Sequence, residues 1–380
     1  MRDSLVGAGS NGARRVVGVM TGTSLDGIDA ALVEIEGHGL DMTATLCSSG
    51  SRPLPERCTL DLRAFTTGEP LTARRVSEIR DELADEHASL IETVLGDGVT
   101  DLICLHGQTV FHDPPLSWQL LNPTRIARRL RAPVVFDLRA ADLAEGGEGA
   151  PITPLADDIL FRHPTERRLI VNLGGFANAT RLPSLNDDPV GPRRLDRIDG
   201  GDICVCNQLL DTAARRALDQ PYDRNGGAAL RGSVDQAAFE SLRRSLSAQA
   251  ESGRSLGTGD ELMNEWLDES LKRLSAADLC RTITAAIAEV IASRASESDR
   301  VLLAGGGARN EALRSELRYR IAAPVELSDA VGVPLDLREA MAMAVLGALC
   351  ADRVAITLPQ VTRVPRPAPI AGAWVYPNDA

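Results

Sequence analysis

Three apolar runs in this 380-residue chain lead directly into glycine-rich turns, at residues 22–27, 174–175 and 305–307. Each run has the length of a buried β-strand, and the first two turns are followed by a second apolar run, as in a β-hairpin. Because glycine has no side chain, the backbone at such a turn can approach a phosphate closely and point its N–H groups toward it. One such turn is more often structural than functional. Three of them in one chain favour a shared nucleotide site.

The remaining elements alternate between strands and helices in both halves of the chain, which indicates an α/β fold. Helical spacing of apolar residues occurs over residues 76–96, from residue 203 to about residue 295, and over residues 337–350. Residues 144–154 and 182–198 are rich in glycine, proline or aspartate and are predicted to be loops.

A chain of 380 residues exceeds the size at which a single hydrophobic core keeps growing, so two domains are expected. We expect residues 14–140 to form the first domain, joined by part of the C-terminal segment 350–380. Residues 141–349 would form the second domain, and residues 1–13 a disordered tail.

The composition excludes several classes of function. The formal net charge is −12 and the pI is about 5.0, so the chain lacks the basic field that holds nucleic acid. Lys272 is the only lysine, which rules out a phosphate loop of the GxxxxGK[ST] type. The seven cysteines have no repeated spacing and are expected to be reduced. No apolar run has the length of a signal peptide or a membrane span. We therefore expect a cytoplasmic protein that binds neither nucleic acid nor a membrane.

Polar residues at the ends of predicted strands are further candidates for a binding site. His106 lies in the apolar strand predicted over 102–107 and precedes Gln108 and Thr109, which predicts a polar binding loop. The alternative is a purely structural histidine. His106 and His112 are six residues apart, which is not the i, i+4 spacing of a helical zinc pair, so no metal site is predicted there.

A second group of charged residues follows the strand predicted over 132–139. Asp137, Arg139 and Asp142 cluster at its end, with Glu148 shortly after them. Ligands bind at the carboxyl ends of strands in open α/β sheets, so this group is a candidate site, and a solvated charge cluster is the alternative.

Asp202 follows two glycines at the point where a helix is predicted to begin. A carboxylate there can act as a general base or as a helix N-cap, and the local sequence alone favours the cap. Cys204 and Cys206 are separated by one residue and are interpreted as space-filling side chains, not as a redox pair. The GGGARN turn at 305–310 lacks the third glycine of a dinucleotide fingerprint, so hydride transfer is not favoured.

Taken together, these motifs resemble one family, the anhydro-N-acetylmuramic acid kinases, which are sugar kinases of the actin and hexokinase-like ATPase superfamily. The similarity runs through GVMTGTSLDGIDAALVEI (18–35), LHGQTVFHDP (105–114), VVFDLRAADLAEGGEGAP (134–151), VNLGGFANAT (171–180), DICVCNQLLD (202–211), LLAGGGARN (302–310) and LREAMAMAVLGAL (337–349). The motifs span nearly the whole chain, and the GTSLDGID string is highly specific. The resemblance implies a two-domain α/β fold, actin/hexokinase-like and ribonuclease H-like, with a nucleotide cleft between the domains.

The resemblance also implies ATP and Mg²⁺ as cofactors and a small sugar as the substrate. Asp202 matches the aspartate that serves the family as general base, and Asp26 is the candidate ligand of Mg²⁺, through water. The residues implied to bind ATP are Gly22, Thr23, Ser24, Leu25, Asp26, Gly27, Ile28, Asp29, Asn172, Gly174, Gly175, Gly305, Gly306, Gly307 and Asn310. The residues implied to bind the sugar are His106, Gln108, Thr109, Asp137, Arg139, Glu148 and Asn207.

The implied reaction hydrolyses the 1,6-anhydro bond of 1,6-anhydro-N-acetylmuramic acid while O6 is phosphorylated. It gives N-acetylmuramic acid 6-phosphate and ADP, in cell-wall (peptidoglycan) recycling and amino sugar catabolism. A carboxylate would deprotonate the attacking water, as in inverting glycosidases, while the departing oxygen takes the γ-phosphoryl group of ATP. A homodimer is compatible with the resemblance.

Three segments depart from the family pattern. DICVCN (202–207) stands where the family usually has DTGPGN, and QLLNP (119–123) stands where it has QIGNP. A histidine that usually follows the GGxGAP segment is replaced near Asp157. These differences leave two alternatives: a kinase of a simpler anhydro sugar such as levoglucosan, and a catalytically silent nucleotide-binding homologue.

Overall fold

A computed structural model of the chain describes residues 12–22, 25, 27–187, 192–252, 256 and 263–377. The contacts divide the chain into two compact units, Met1–Leu160 with Leu337–Ala380, and Phe161–Asp336. The tail expected over residues 1–13 lies outside the described residues except for Gly12 and Ala13.

The strands and helices alternate along the chain, as the sequence predicts. The strands are β1 (Arg14–Thr21), β2 (Gly27–Glu36), β3 (Thr43–Pro53), β4 (Leu102–Leu105), β5 (Gln108–Asp113), β6 (Leu116–Leu120), β7 (Val134–Phe136), β8 (Arg168–Leu173), β9 (Phe176–Leu182), β10 (Asp199–Val205), β11 (Arg300–Ala304), β12 (Val325–Leu327) and β13 (Ala373–Val375). The helices are α1 (Glu56–Thr66), α2 (Ala73–Leu95), α3 (Pro123–Leu130), α4 (Ala140–Ala144), α5 (Pro154–Phe161), α6 (Pro192–Leu195), α7 (Asn207–Leu218), α8 (Gln236–Ser252), α9 (Asn264–Leu271), α10 (Ala276–Ala292), α11 (Glu311–Arg320), α12 (Arg338–Ala351) and α13 (Pro359–Thr362).

The sheets of the two units share a five-stranded arrangement, to which the first unit adds β13, antiparallel to β7, at one edge. In the first unit the strand order is β13-β7-β4-β1-β2-β3, with β1, β2 and β3 antiparallel and with β4 and β7 parallel to β1. In the second unit the order is β10-β9-β8-β11-β12, again three antiparallel strands followed by two parallel ones. This duplicated arrangement confirms the predicted α/β class with ribonuclease H-like halves.

Helix α12 packs on the first sheet, which differs from the domain boundaries expected from the sequence. A Cβ added to Gly18 of β1 would lie 2.1 Å from the carbonyl oxygen of Ala340 and 2.3 Å from the amide nitrogen of Ala344. The strand and helix backbones therefore touch, and only a glycine leaves room for this contact. Residues 141–160 and 337–349 accordingly belong to the first unit, not to the second.

The helix predicted to begin at residue 203 begins later, and this part of the prediction is wrong. Residues Asp199–Val205 form β10, which pairs with β9 and places Asp202 opposite Asn178, while α7 begins at Asn207. Two β-branched residues, Ile203 and Val205, favour the strand because both are buried in the core of the second unit. Asp202 therefore does not cap a helix.

Candidate active site

The residues predicted to form the site in the first unit lie at one edge of its sheet. The parallel strands β1, β4 and β7 end next to Gly22, His106 and Asp137, respectively. Carboxyl ends of adjacent parallel strands are where open α/β sheets bind ligands. The topology thus brings together three loops that are far apart in the sequence.

Hydrogen bonds connect these loops directly. The His106 amide donates to the carbonyl oxygen of Val19 at 3.0 Å, and the Thr21 hydroxyl donates to the carbonyl oxygen of His106 at 3.2 Å. The Arg139 guanidinium donates to His106 Nε2 from Nε at 3.1 Å and from Nη2 at 3.0 Å. Its Nη1 donates to the carbonyl oxygen of Gly149 at 2.7 Å. The charged segment after β7 and the polar loop after β4 are therefore parts of one cluster.

The electrostatic environment keeps His106 uncharged. Burial lowers the pKa of its imidazole to about 3, and the neighbouring Arg139 cation contributes to the same shift. A neutral ring can accept the two hydrogen bonds from Arg139 through Nε2, whereas an imidazolium could not. The pair holds Arg139 in place without a carboxylate at that contact.

Gln108 and Thr109 follow His106 at the start of β5. The Gln108 side chain is buried, and its Nε2 donates to the carbonyl oxygen of Thr109 at 3.2 Å. Its amide oxygen is buried and accepts no hydrogen bond within the described part of the chain. A buried acceptor of this kind is costly unless a ligand or water satisfies it, which supports a binding role for Gln108.

Two other residues predicted to bind the sugar have structural partners. The Asp137 carboxylate accepts a hydrogen bond from the amide of Ala140, at the start of α4. Glu148 accepts a hydrogen bond from Arg363 Nη1 at 2.6 Å. Both are near the His106–Arg139 pair in sequence and topology, but these contacts direct the two carboxylates to the protein's own groups.

The first glycine turn is described in part. The Leu25 amide donates to the Gly22 carbonyl oxygen at 3.4 Å, and Leu25 has a φ of 57°. The side chains of Leu25 and Ile28 are buried in the first core, so only their backbone atoms are available to a phosphate. Gly27 begins β2, and Ile28 lies within that strand, opposite Thr21.

Asp29 is the first described carboxylate after this turn in the sequence. It accepts a hydrogen bond from the Ser51 hydroxyl at 2.5 Å. Three other predicted residues of the turn lie outside the described residues: Thr23, Ser24 and Asp26. The candidate Mg²⁺ ligand is among them.

In the second unit, the other two glycine turns follow the parallel strands β8 and β11 and lie against each other. The backbone amide of Asn207 donates to the Gly174 carbonyl oxygen at 3.1 Å. The Nδ2 of the Asn207 side chain donates to the Leu173 carbonyl oxygen at 3.0 Å. A Cβ added to Gly307 would lie 2.6 Å from Asn207 Oδ1. Asn207, which the resemblance assigns to the sugar, is thus packed among the residues implied to bind ATP.

Gly305 requires a glycine for two reasons. Its φ is 82°, and an added Cβ would lie 2.7 Å from the Oδ1 atom of Asn172. The next residue, Gly306, has open space around the position of a Cβ. An open glycine between two tightly packed ones is the arrangement expected where a ligand approaches the backbone.

Asn310 ends the third turn and caps α11, because its side chain accepts a hydrogen bond from the Leu313 amide at 3.1 Å. It lies directly against Gly226, where an added Cβ would be 2.2 Å from Asn310 Oδ1. Sequence reasoning missed this fourth glycine turn. The signal was the NGG string at 225–227, in which Asn225 and Gly226 both have positive φ.

Asp202 lies in β10 at a local irregularity, since the register with β9 shifts between Asp202 and Cys204. Its Oδ2 accepts a hydrogen bond from the Leu256 amide at 2.7 Å. Cys204 and Cys206 are fully buried, and burial raises the pKa of both thiols, that of Cys206 to about 12. They are inert space-filling side chains, as the sequence predicts.

Glu339 is a candidate that sequence reasoning missed. It is partly buried in the first turn of α12, and burial raises the pKa of its carboxyl, with a further contribution from Asp29. Arg139 is also within electrostatic reach of it. The available signal was a single carboxylate in the otherwise apolar stretch EAMAMAVLGALC (339–350).

Similarity to known proteins identifies the family of the chain. The family model described as anhydro-N-acetylmuramic acid kinase matches residues 14–377. The chain belongs to the anhydro-N-acetylmuramic acid kinase family. A relative of that name from Picosynechococcus sp. is 35% identical over 374 residues, covering 93% of this chain and 97% of its own length. Another from Bordetella petrii is 35% identical over 392 residues, covering 97% of each.

Membership in this family makes the chain a sugar kinase that uses ATP. Among solved structures, component A of the Acidaminococcus fermentans (R)-2-hydroxyglutaryl-CoA dehydratase aligns with 89% of this chain and 99% of its own, at 13% identity and a TM-score of 0.47. Similarity at that level does not bear on function. Among the described residues, no helix is both long and apolar enough to span a membrane.

Proposed function

We propose that the chain phosphorylates O6 of 1,6-anhydro-N-acetylmuramic acid with ATP while it hydrolyses the 1,6-anhydro bond, giving N-acetylmuramic acid 6-phosphate and ADP. The observation that carries this proposal is the family match over residues 14–377, together with the retained aspartate at position 202. We place the reaction in the cytoplasm, where ATP is available, as a step of cell-wall recycling and amino sugar catabolism. The homodimer compatible with the resemblance remains a prediction that light scattering can test.

The chemistry assigned to Asp202 is general-base catalysis. Its carboxylate takes a proton from water, and the water oxygen forms a bond to the anomeric carbon as the bond from that carbon to O6 breaks. The electron pair of the broken bond stays on O6, which bonds to the γ-phosphorus of ATP, and ADP leaves. The hydrogen bond from the Leu256 amide holds Oδ2 of this carboxylate in place.

The three predicted glycine turns would bind ATP. Backbone N–H groups at the turns after β1, β8 and β11 would replace the lysine that a phosphate loop of the GxxxxGK[ST] type supplies. The open position at Gly306, between two packed glycines, supports this role for the third turn. Asn207 joins this group because it contacts two of the turns.

Mg²⁺ would neutralise the phosphate charge when it is bound. Mg²⁺ usually keeps several waters and takes one or two carboxylates besides the phosphates, so it needs no cage of protein ligands. The donors of the first unit fit such binding through one or two carboxylates. Asp29 offers one carboxylate close to the first turn, and the described part of the chain has no cluster of three or more metal-binding side chains. Asp26, or Asp29 three residues later in the sequence, would hold the ion through water.

The sugar would bind at the His106–Arg139 cluster. The orphaned amide oxygen of Gln108 supports this assignment, because a sugar hydroxyl can donate to it. His106, Thr109 and Arg139 would complete the polar contacts. Asp137 and Glu148, which are hydrogen-bonded to Ala140 and Arg363, would support the loops instead.

Substitution Asp202→Asn tests the base directly. It should lower kcat by roughly 10²–10⁴-fold and leave the affinity for ATP unchanged, since amide and carboxylate have the same shape. Asp199→Asn, at an exposed position of the same strand, is the matched control and should keep full activity. An Asp202→Asn enzyme with normal kcat would contradict the assignment.

The product tests the overall reaction. With MgATP and 1,6-anhydro-N-acetylmuramic acid in ¹⁸O-labelled water, the product should gain one phosphoryl group and one water, with the label on the anomeric carbon. ADP release with levoglucosan but not with this sugar would establish the simpler kinase. Nucleotide binding without ADP release from either sugar would establish the silent homologue.

A further inference from the structure

The β5–β6 hairpin has two chemically different faces. The register pairs His112 with Ser117 on one face and Phe111 with Trp118 on the other. Trp118 packs edge-on against Phe65 of α1, with ring centroids 5.9 Å apart. His112 is instead within electrostatic reach of Arg139 and His106. The polar face therefore belongs to the cluster at which the sugar is proposed to bind.

A chain of hydrogen bonds connects Gln119, Ser117 and His112 on the polar face. Gln119 Nε2 donates to the Ser117 hydroxyl oxygen at 2.8 Å, and that hydroxyl lies 2.9 Å from His112 Nδ1. This hydroxyl can accept from Gln119 and donate its one proton to Nδ1 at the same time, and the proposal below takes that arrangement. The proton of the neutral imidazole then lies on Nε2. This atom is buried and has no hydrogen-bond partner within the described part of the chain.

Charge supports the neutral form. Burial lowers the pKa of His112 to about 4, and the Arg139 cation adds to this shift, so the ring is uncharged at physiological pH. In the tautomer with the proton on Nε2, the ring offers a buried N–H donor within electrostatic reach of the Arg139 guanidinium. A buried donor and a cation in the same cluster fit an anionic oxygen acceptor.

We propose that His112 is a specificity-determining residue that donates a hydrogen bond from Nε2 to the lactyl carboxylate of the sugar. This inference rests on the proposed function, since it names the group by which the same site distinguishes its substrate from simpler anhydro sugars. Ser117 and Gln119 are positioning residues that act through the tautomer of His112. A site with a buried donor rejects analogues that lack the acceptor, because the donor then stays unpaired.

The experiment compares two sugars that differ only in the lactyl group, 1,6-anhydro-N-acetylmuramic acid and 1,6-anhydro-N-acetylglucosamine. Dissociation constants are measured by calorimetry, and kcat and KM by ADP release. His112→Ala should raise Kd and KM for the first sugar roughly 10- to 100-fold, with kcat within about threefold of the wild type. The Kd and KM of the second sugar should not rise, since that sugar has no carboxylate to lose this hydrogen bond.

His112→Gln should recover most of the loss, because its side-chain amide can supply an N–H near the position of Nε2. Ser117→Ala should weaken binding of the lactyl sugar alone, by a smaller factor than His112→Ala. His38→Ala is the control, since this histidine of the same unit has 62% of its side-chain surface exposed. It should affect neither sugar.

Equal losses for both sugars, or none, would overturn the role of His112. If circular dichroism shows that His112→Ala does not fold, His112→Gln and Ser117→Ala provide the test. The quantity compared is then the ratio of the Kd values for the two sugars in each variant. A wild-type protein that binds the lactyl sugar without releasing ADP would refute the proposed function. The Kd values of the variants would still test the role of His112.

Discussion

Asp157 and Arg338 form an ion pair in the interior of the first unit, where α5 and the start of α12 meet. Their side chains are 0% and 1% exposed. Arg338 Nε donates to Asp157 Oδ1 at 2.9 Å, and Arg338 Nη2 donates to Oδ2 in a second, parallel hydrogen bond. The structure thus gives the buried Asp157 carboxylate a charged partner.

Asp157→Asn should therefore destabilise the protein strongly. The substitution keeps the shape of the side chain but leaves a buried guanidinium without its carboxylate, which costs ~3–5 kcal/mol. That loss corresponds to a change of roughly 10²–10³·⁵-fold in the unfolding equilibrium constant. With a urea slope of about 2–3 kcal/mol/M, the midpoint should fall by roughly 1–2.5 M.

Urea unfolding, followed by tryptophan fluorescence and circular dichroism, measures this effect. The matched control is Asp85→Asn, which breaks an equally bidentate pair with Arg125 at 2.6 and 2.7 Å whose side chains are 45% and 48% exposed. Its midpoint should barely change. The double variant Asp157→Leu with Arg338→Met should be more stable than Asp157→Asn, since it leaves no unpaired charge. A midpoint for Asp157→Asn equal to that of the control would refute the reasoning.

Three further predictions follow from burial. Because the pKa of His106 is about 3 in the folded protein and about 6.5 when unfolded, only the unfolded chain gains this proton between those values. The free energy of unfolding should therefore fall as the pH decreases from 6.5 toward 3. His106→Gln should reduce the dependence of this free energy on pH by about 1.4 kcal/mol per pH unit. If urea titrations at pH 7 and 4.5 give the variant and the wild type the same dependence, the prediction is wrong. Gly18→Ala should lower Tm by several degrees, because its Cβ would lie 2.1 Å from the Ala340 carbonyl oxygen. Gly201→Ala is the control and should leave Tm unchanged, because the space around Gly201 is open. Equal Tm values for the two variants would count against the close packing at Gly18. A maleimide should label the native protein once, at Cys47, the one exposed thiol of seven, and labelling at more sites would argue against the burial of the others.

The glycine turns illustrate what local sequence predicts well. An apolar run followed by glycine and then by another apolar run specifies strand, turn and strand through neighbouring residues alone, and both β1–β2 and β8–β9 form as predicted. The same reasoning failed at Asp202. Gly200 and Gly201 are equally compatible with a loop before a helix, and the hydrogen-bond partner that makes them a strand, β9, is about 20 residues away.

The sequence by itself determined the α/β class, the family, and the glycine turns at strand ends, because each depends on residues close together in the chain or on a specific string. Only the tertiary structure decided that α12 packs on the first sheet, that Arg338 neutralises Asp157, and that His106 and His112 stay uncharged beside Arg139. These properties depend on burial and on distances between residues far apart in sequence. Burial sets whether a charge is tolerated, and the fold alone determines which side chains share a buried site.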